Sequence, residues 1–232
     1  MAEIEKHSFD VKEQLDQDLA EEIAKRLQAA IDERGRAVLV VSGGSTPAGL
    51  FRRLSGAALD WPKVTITLAD ERWLAPDHKD SNERLIREQL LVNKASSAAF
   101  LSLTTSAGSP DQALDDIQQR LSELGSADVL VLGMCGDGHT ASLFPQATNL
   151  EQGLAMDGTR HCIAIDPVTA PYPRMSMTLP RLLDSRHIVV HITGESKREV
   201  FERACENTDP RKAPISAVLN EAGQTVHLYW AP

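Results

Sequence analysis

Residues 129–145 read Val-Leu-Val-Leu-Gly-Met-Cys-Gly-Asp-Gly-His-Thr-Ala-Ser-Leu-Phe-Pro. The stretch opens with a continuous apolar run, Val129–Leu132, which lacks the polar alternation of a half-exposed strand and is typical of a central parallel strand. The glycines that follow allow the backbone to turn sharply and to approach a ligand closely. After them comes His139, the side chain of this stretch best suited to move a proton near neutral pH. Open α/β folds build their sites in this way, at the carboxyl ends of their strands.

The residues alone leave two alternatives to a catalytic site at this glycine turn. The first is a plain surface turn with no function. The spacing of Gly136, Gly138 and Ala141 also fits the dinucleotide fingerprint Gly-x-Gly-x-x-Gly/Ala after a strand. That fingerprint requires an acidic residue about 20 positions further on, at the end of the next strand. Glu151 and Asp157 precede the next apolar run, so the match is partial.

The composition restricts the classes of function that this chain can have. Its 232 residues, of which 42% are hydrophobic, are enough for an ample core, and we expect one α/β domain over residues 1–232. A net charge of −9 argues against nucleic acid as a partner. A phosphorylated substrate remains compatible with that charge, because a local basic pocket can override the overall field.

The cysteines and the apolar runs bear on the cellular compartment. The three cysteines, Cys135, Cys162 and Cys205, form no Cys-x-x-Cys pair, which indicates a reducing compartment without a disulfide framework. The first residues contain no apolar signal region, and no apolar run is long enough to span a membrane. We therefore expect a cytoplasmic protein.

The first long helical pattern lies near the start of the chain. Asp10-Val-Lys-Glu13 predicts a capping box at a helix start. Apolar residues then recur four apart, and Gly35 stands where a C-cap belongs. The pattern predicts one amphipathic helix rather than a helix-turn-helix, because no second short helix follows. The apolar stripe consists of Val11, Leu15, Leu19, Ile23, Leu27 and Ile31.

Strand and helix patterns alternate along the rest of the chain. This alternation predicts an α/β fold, with a doubly wound, mostly parallel Rossmann-like sheet and helices on both of its faces. The short apolar run at 100–103 is either a short strand or an extended link. The predicted strands, the first of them at 37–41, are Ala37–Val41, Val64–Leu68, Val129–Leu132, His161–Ile165, His187–Ile192 and Val226–Trp230. The predicted helices begin near Pro47, Asp80, Pro110 and Glu195 or cover Leu179–Leu183 and Pro214–Leu219.

The first of these strands ends in a loop that is typical of an anion-binding site. The loop consists of Ser42, Gly43, Gly44, Ser45 and Thr46. Backbone amides of such a loop, and the N-terminus of the helix behind it, favour phosphate. It is not a Walker A motif, since no Gly-Lys-Ser/Thr follows, and it is not a nucleophile elbow, since the closing glycine is missing. A capped turn is the plain structural alternative.

Three further segments place charged side chains at or beyond strand ends. Asp70 and Arg72 follow the second predicted strand directly, where either a site or a solvated loop is expected. Arg174 follows a loop with prolines at 167, 171 and 173, which would stiffen the loop and hold Arg174 in place. Lys197 lies in a strand-to-helix turn that, taken alone, is routine. Because parallel strands have their carboxyl ends at one edge, these segments can converge on one ligand.

Taken together and in order, the motifs resemble those of the 6-phosphogluconolactonases, a family of the sugar-phosphate deaminase-like superfamily. The resemblance covers nearly the whole chain. It departs from the family pattern at one place, where Cys135 stands at a position that is usually glycine and Gly136 at a variable one. The matching motifs are Ser42–Pro47, Asp70–Trp73 with Asp80–Asn82, Gly136–Pro145, Pro173–Arg174 with Thr178, and Thr193–Lys197.

The resemblance implies hydrolysis of 6-phospho-D-glucono-1,5-lactone to 6-phospho-D-gluconate, the second step of the oxidative pentose phosphate pathway, without a metal or organic cofactor. The sequence has no His-Glu-x-x-His motif and no Cys/His cluster for a metal. His139 is the candidate general base, and then the acid that protonates the ring oxygen. Asp137 is expected to orient or tune the site. By the resemblance, Arg72 lies near the reacting centre and stabilises the oxyanion.

By the same resemblance, Arg174 and Lys197 form a phosphate pocket together with the Ser42–Thr46 loop, which offers hydroxyls and backbone amides. We place Asp70 with these substrate-binding residues. The expected partner is a small phosphosugar lactone, with no nucleic acid and no membrane, and the expected assembly is a monomer or a homodimer.

Three rival functions follow from the same features. Glucosamine-6-phosphate deaminase/isomerase resembles the chain in its Ser-Gly-Gly loop and Asp-Gly-His, but that family has a glutamate five residues after the histidine, where this chain has Phe144. A sugar-phosphate-sensing regulator needs a DNA-binding module, and the first 36 residues supply only a single acidic helix. A dinucleotide oxidoreductase, the third, rests on the partial fingerprint.

Overall fold

The structure is a computed structural model that describes residues 2–206 and 209–232. Within these residues it contains ten β-strands and eight α-helices. The strands are β1 (Ile4–Ser8), β2 (Ala37–Val41), β3 (Val64–Leu68), β4 (Asp70–Arg72), β5 (Ala99–Leu101), β6 (Val129–Leu132), β7 (Cys162–Ile165), β8 (Arg174–Met177), β9 (Ile188–Thr193) and β10 (Val226–Ala231). The helices are α1 (Lys12–Arg34), α2 (Ala48–Leu54), α3 (Asn82–Gln89), α4 (Pro110–Leu124), α5 (Leu150–Leu154), α6 (Leu179–Leu183), α7 (Glu195–Cys205) and α8 (Ile215–Glu221).

The main sheet has seven strands in the order β1-β10-β9-β6-β2-β3-β5, and all of its pairs are parallel. From β2 the chain steps outward through β3 to β5. It then returns to β6, on the other side of β2, and steps outward again through β9 to β10. Right-handed crossovers in the two opposite directions place their helices on opposite faces. The predicted doubly wound, parallel α/β fold is therefore confirmed.

The reversal of strand order lies between β2 and β6. These strands pair in parallel, with Leu39 opposite Val129 and Val41 opposite Val131. Every residue of both strands is buried, which explains their unbroken apolar sequences. The loops that leave two such strands diverge to opposite faces and open a crevice at the carboxyl edge of the sheet. The predicted anion loop and the glycine turn flank this crevice.

A second, antiparallel sheet of three strands, β4-β8-β7, lies at the carboxyl end of β3. The backbone N–H of Met177 donates to the carbonyl of Ala69, 2.8 Å away, and so ties β8 to the end of β3. The solvated-loop alternative for Asp70–Arg72 is wrong, because these residues form β4, and Arg174, which follows the proline loop, is the first residue of β8. Neither strand was predicted from the sequence, and neither has a sequence pattern that predicts it, because each is short, begins with a charged residue and is paired with a distant segment.

Helix α1 buries the apolar stripe from Leu15 to Ile31 and ends at Gly35, whose φ of 73° provides the left-handed C-cap. The predicted capping box of Asp10 and Glu13 is wrong. The helix begins at Lys12, and its N-cap residue is Val11. No side chain forms a capping hydrogen bond at this position, and Val11 is 45% exposed. Val11 is therefore not part of the buried stripe.

Strand β1 is missing from the sequence prediction, in which the strand at 37–41 comes first. Its five residues, Ile4–Ser8, include both signs of charge and pair only with β10 at the sheet edge. An edge strand of this kind lacks the continuous apolar run that marks a central strand. Among the described residues, no helix is both long enough and apolar enough to cross a membrane.

Glu71 joins the second sheet to helix α3. Its side chain is fully buried and accepts four hydrogen bonds. The backbone N–H groups of Arg72, Asn82 and Glu83 donate at 2.7, 2.8 and 2.6 Å, and the hydroxyl of Ser81 donates at 3.0 Å. This carboxylate therefore holds the end of β4 and the start of α3 against each other, at the rim of the crevice.

Replacing Glu71 should destabilise the fold strongly. Glu71→Ala leaves three backbone N–H groups without an acceptor, and a buried unsatisfied donor typically costs about 1–3 kcal/mol. We expect the free energy of unfolding, measured by urea denaturation, to fall by about 3 kcal/mol or more. Glu88→Ala, which removes an exposed glutamate from α3, is the control and should change it by less than about 1 kcal/mol. An unchanged urea midpoint for Glu71→Ala would contradict this role.

Candidate active site

One cavity of about 530 Å³ occupies the crevice. This volume is within the usual range for a site that encloses a small metabolite. All of the sequence-predicted site residues except Asp137 line the cavity, and Asp137 lies behind His139. The lining residues among them are Ser42, Gly43, Gly44, Ser45, Thr46, Asp70, Arg72, His139, Arg174 and Lys197.

The turn after β6 depends on a glycine at position 138. Gly138 has a φ of 78°, in the left-handed region, and its N–H donates to the carbonyl of Cys135 at 2.9 Å. A Cβ at this position would lie 2.7 Å from the Cβ of Ala213. Gly136 has neither constraint, so the departure from the family pattern at positions 135 and 136 leaves the turn itself intact. The turn projects His139 into the cavity.

His139 and Asp137 form a hydrogen-bonded pair. The Nδ1 atom of His139 lies 2.6 Å from Oδ1 of Asp137, and the backbone N–H of His139 donates to the same oxygen at 3.1 Å. The carboxylate therefore holds the ring through Nδ1. The His139 side chain is 17% exposed and that of Asp137 is 41% exposed.

This pairing determines the charge of the imidazole. Burial acts to lower the pKa of His139, but the hydrogen bond to Asp137 and the interaction with the Cys135 sulfur outweigh it and raise the pKa to about 9. Burial acts to raise the pKa of Asp137, whereas the bond to His139 outweighs it and lowers that pKa. Interaction with His139 also lowers the pKa of the Cys135 thiol. The imidazolium is thus the stable form of His139 near neutral pH.

Phe144 packs against both His139 and Arg174 in the cavity. Its ring centroid lies 4.0 Å from that of His139, and the guanidinium carbon of Arg174 lies 5.4 Å from the same ring. The Phe144 side chain itself is only 3% exposed. The catalytic candidate and the phosphate-binding candidate are therefore separated by one aromatic ring.

Arg174 is buried without a paired carboxylate. It is 6% exposed, and its guanidinium donates to the carbonyls of Tyr172 at 3.3 Å and Pro171 at 3.0 Å. No carboxylate among the described residues lies within ion-pair distance of it. Burial lowers the pKa of Arg174, and the charge of nearby Asp70 opposes that effect. An anionic ligand would supply the compensating charge that the protein does not place there.

Two more cations face the same space. Arg72 on β4 stands directly opposite Arg174 on β8 and donates to the carbonyl of Asp80 at 2.7 Å. Like charges at opposed positions of an antiparallel pair destabilise the pair. Lys197 lies in the first turn of α7 and forms no ion pair within the described part of the chain. The three cations together favour a ligand with more than one negative charge.

The loop after β2 is shaped by its contact with α3. A Cβ on Gly43 would lie 2.0 Å from Oδ1 of Asn82, so only glycine fits there. Gly44 has a φ of 92°, which again favours glycine. Asn82 donates through Nδ2 to the carbonyl of Asp70 at 3.0 Å. The hydroxyl of Ser42 and Oδ1 of Asn82 are buried and have no hydrogen-bond partner among residues 2–206 and 209–232, so both can pair with a ligand.

His191 is a cavity residue that the sequence analysis missed. It lies within β9 and is 2% exposed, and within the described part of the chain neither of its ring nitrogens has a hydrogen-bond partner. Its Nε2 lies 3.7 Å from Oδ1 of Asp16 on α1. Burial lowers the pKa of His191 to about 3, so the ring is neutral. A histidine inside an apolar strand has no local signal of function, whereas Asn82 belongs to the Asp80–Asn82 motif of the family resemblance, which gave it no specific role.

Comparison with known proteins identifies the family. Residues 10–229 match the model of the family described as glucosamine-6-phosphate isomerases/6-phosphogluconolactonase. The chain belongs to this family. The family resemblance found in the sequence is thereby confirmed.

Individual members of the family are similar over nearly the whole chain. A 6-phosphogluconolactonase of Rhizobium meliloti (strain 1021) is 42% identical over 227 residues, which cover 97% of this chain and 98% of the relative. A 6-phosphogluconolactonase of Neisseria meningitidis serogroup A is 41% identical over 229 residues, with coverage of 97% and 98%. The crystal structure of a 6-phosphogluconolactonase from Shewanella baltica OS155 has a TM-score of 0.95 at 43% identity and covers 100% of this chain and 98% of its own.

The His139–Asp137 pair predicts an abnormal titration. We expect NMR titration of the ring protons to give His139 a pKa of about 9. Asp137→Asn removes the carboxylate charge and should lower that pKa toward or below 6.5, while the titration of His161, which is remote from this pair, stays unchanged. A pKa of His139 that is equal in both proteins would contradict the proposed cause.

The raised pKa of His139 also makes the free energy of unfolding depend on pH. Because the folded-state pKa of His139 is raised above the unfolded value near 6.5, the fold favours the protonated ring. Its stabilisation is complete below about pH 6.5 and is lost as the pH rises to about 9. The difference in unfolding free energy between the protein and Asp137→Asn should shrink over this window.

Proposed function

We propose that this chain hydrolyses 6-phospho-D-glucono-1,5-lactone to 6-phospho-D-gluconate, the second step of the oxidative pentose phosphate pathway, in the cytoplasm. The observation that carries the proposal is the shared cavity, in which an imidazole held by a carboxylate faces the same space as Arg72, Arg174 and Lys197. The relatives named 6-phosphogluconolactonase support the choice of substrate. The free state of all three cysteines agrees with a reducing compartment.

His139 acts on the water and then on the ring oxygen. A lactone is an activated ester, and water attacks its carbonyl carbon directly once a base takes the water's proton. Neutral His139 accepts that proton at Nε2 while Asp137 stabilises the resulting imidazolium through Nδ1. The imidazolium then returns the proton to the ring oxygen as the C–O bond breaks. These steps need no metal and no organic cofactor.

The raised pKa of His139 sets the pH dependence of this mechanism. With a pKa of about 9, only about 1% of the free enzyme carries the neutral base at pH 7. The value of kcat/KM should therefore rise with pH through the neutral range. The protonated majority is the form that can donate a proton to a leaving oxygen.

The cations divide between the two ends of the substrate. Arg72, near the reacting centre, stabilises the oxyanion that forms when water adds to the carbonyl, a contribution that is typically worth about 10²–10³ in rate. Arg174 and Lys197 bind the phosphate with the Ser42–Thr46 loop, where the unpartnered hydroxyl of Ser42 is available. The phosphate is remote from the bond that breaks, so its binding positions the lactone.

The deaminase reaction, which the family description also includes, is disfavoured at Phe144. An aldose–ketose isomerisation requires groups that shuttle protons between adjacent carbons, and glutamate supplies one in the deaminases. The phenyl ring of Phe144 cannot, and it packs on the His139 ring at the corresponding place. Release of ammonia from glucosamine 6-phosphate would favour the deaminase, and its absence together with lactone hydrolysis would favour our proposal.

Loss of the imidazole should nearly abolish hydrolysis. We expect His139→Ala to lower kcat by about 10²–10⁴, since this is the usual contribution of general acid–base catalysis. The assay follows proton release from freshly generated lactone, with the spontaneous opening of the lactone subtracted. His161→Ala, a histidine outside the cavity, is the control and should retain full activity. Near-normal turnover of folded His139→Ala would remove this residue from the mechanism.

Loss of a phosphate ligand should act mainly on KM. Arg174→Ala or Lys197→Ala removes a charged hydrogen bond worth roughly 1.5–3 kcal/mol, which corresponds to a rise in KM of about 10- to 100-fold. Arg198→Ala is the matched control, because Arg198 follows Lys197 on α7 but packs over Trp230 outside the cavity. Unchanged KM values for both cavity variants would place the phosphate elsewhere.

A further inference from the structure

A second cluster of ligating side chains lies away from the cavity, at the edge of the main sheet. Glu5 and His7 belong to the edge strand β1, and His227 belongs to its neighbour β10. In the parallel register Glu5 is opposite His227, and His7 stands two residues further along the same face. None of the three lines the substrate cavity, which forms at the carboxyl ends of the strands.

The three side chains point their ligating atoms at one position. Nε2 of His7 lies 3.4 Å from Nδ1 of His227 and 3.5 Å from Oε1 of Glu5, and Nδ1 of His227 lies 3.2 Å from Oε2 of Glu5. Zinc bonds nitrogen at about 2.0–2.1 Å and oxygen at about 2.0–2.2 Å in tetrahedral sites, so its ligand atoms lie about 3.3–3.5 Å apart. The two imidazole nitrogens, 3.4 Å apart, have this spacing, and the Glu5 carboxylate approaches each of them with a different oxygen, so one of its oxygens has to rotate toward the ion to act as the third ligand.

We propose that Glu5, His7 and His227 bind a divalent transition-metal ion of the zinc class, with water as the fourth ligand. Two imidazoles and a carboxylate are a ligand set that zinc accepts. The exposed fractions of the three side chains are 56% for Glu5, 26% for His7 and 14% for His227. The site is therefore open to solvent on one side, which gives an ion a path of entry and a position for water.

The surrounding rings hold the two imidazoles in place. The ring of His7 stacks on that of Tyr229, with a centroid distance of 4.4 Å and an interplanar angle of 18°. The ring of His227 packs on that of His187, with a centroid distance of 4.2 Å. Nε2 of His187 is buried and has no hydrogen-bond partner among the residues that the structure describes. A buried polar atom without a partner is unusual, and water on an adjacent ion would supply one.

The ion would act on structure rather than on catalysis. Its ligands come from β1 and β10, which otherwise pair through the backbone and through the stacking of His7 on Tyr229, so metal binding would fasten the terminal strand further to the sheet. Because the proposed lactone mechanism needs no metal, stripping the protein should leave hydrolysis unchanged while lowering its thermal stability.

The test is a titration of untagged, EDTA-stripped protein with Co²⁺, followed by the visible absorption of four-coordinate cobalt and by competition with Zn²⁺. We expect one ion per chain. His7→Ala, His227→Ala and the milder Glu5→Gln should each weaken binding about tenfold or more. The controls His161→Ala and His139→Ala should bind as the unaltered protein does, the latter because the cavity also holds potential ligands.

A second readout keeps the test decisive if a variant folds poorly. At saturating Zn²⁺ the Tm of the unaltered protein should rise by about 5 °C or more, and that of Glu5→Gln by clearly less. The proposal is overturned if no ion binds, if binding is unaffected by the changes at His7 and His227, or if it is lost in His139→Ala. It is equally overturned if Zn²⁺ binds but leaves the Tm unchanged.

Discussion

The parallel pairing of β2 with β6 positions both of the loops that form the cavity. The order of strands reverses at this pair, so the chain leaves the two strands toward opposite faces of the sheet. The Ser42–Thr46 loop and the turn that carries His139 can approach one ligand only because their strands are neighbours. Both strands are buried along their whole length, and the hydrophobic effect therefore secures the register that sets the separation of the two loops.

The cavity concentrates positive charge in a protein whose overall charge is −9. Arg174 is buried with only carbonyl partners, and Arg72 stands opposite it across the β4–β8 pair. Such an arrangement is costly in the free protein and becomes favourable when an anion enters. In the same cavity the carboxylate of Asp137 balances the imidazolium of His139. The imidazolium therefore has its counter-charge within the protein, whereas the guanidinium of Arg174 requires a ligand to supply one.

Much of the main sheet could be predicted, because buried parallel strands are continuous apolar runs. The bounds of β2, β3 and β6 agree with the prediction residue for residue. Strand β1 and the strands β4 and β8 of the second sheet could not be predicted, since short strands with charged residues acquire their structure from distant partners. Strand β7 of the second sheet was predicted, at His161–Ile165, because Cys162–Ile165 is an apolar run. The expected capping box at Asp10 failed for a related reason. Its sequence is compatible with a cap, but the chain enters α1 from β1 and the helix starts two residues after Asp10, at Lys12.

The fold class, the family and the chemical types of the site residues follow from the amino-acid sequence, because they depend on local patterns: apolar runs, glycines at turns, and charges after strands. Which groups meet follows from the packing of the folded chain. That packing places Phe144 against both His139 and Arg174, buries His191 at the cavity, and brings the side chains of Glu5, His7 and His227 together. Contacts between residues far apart in the chain leave no periodic signal, since strand pairing and register alone bring them together.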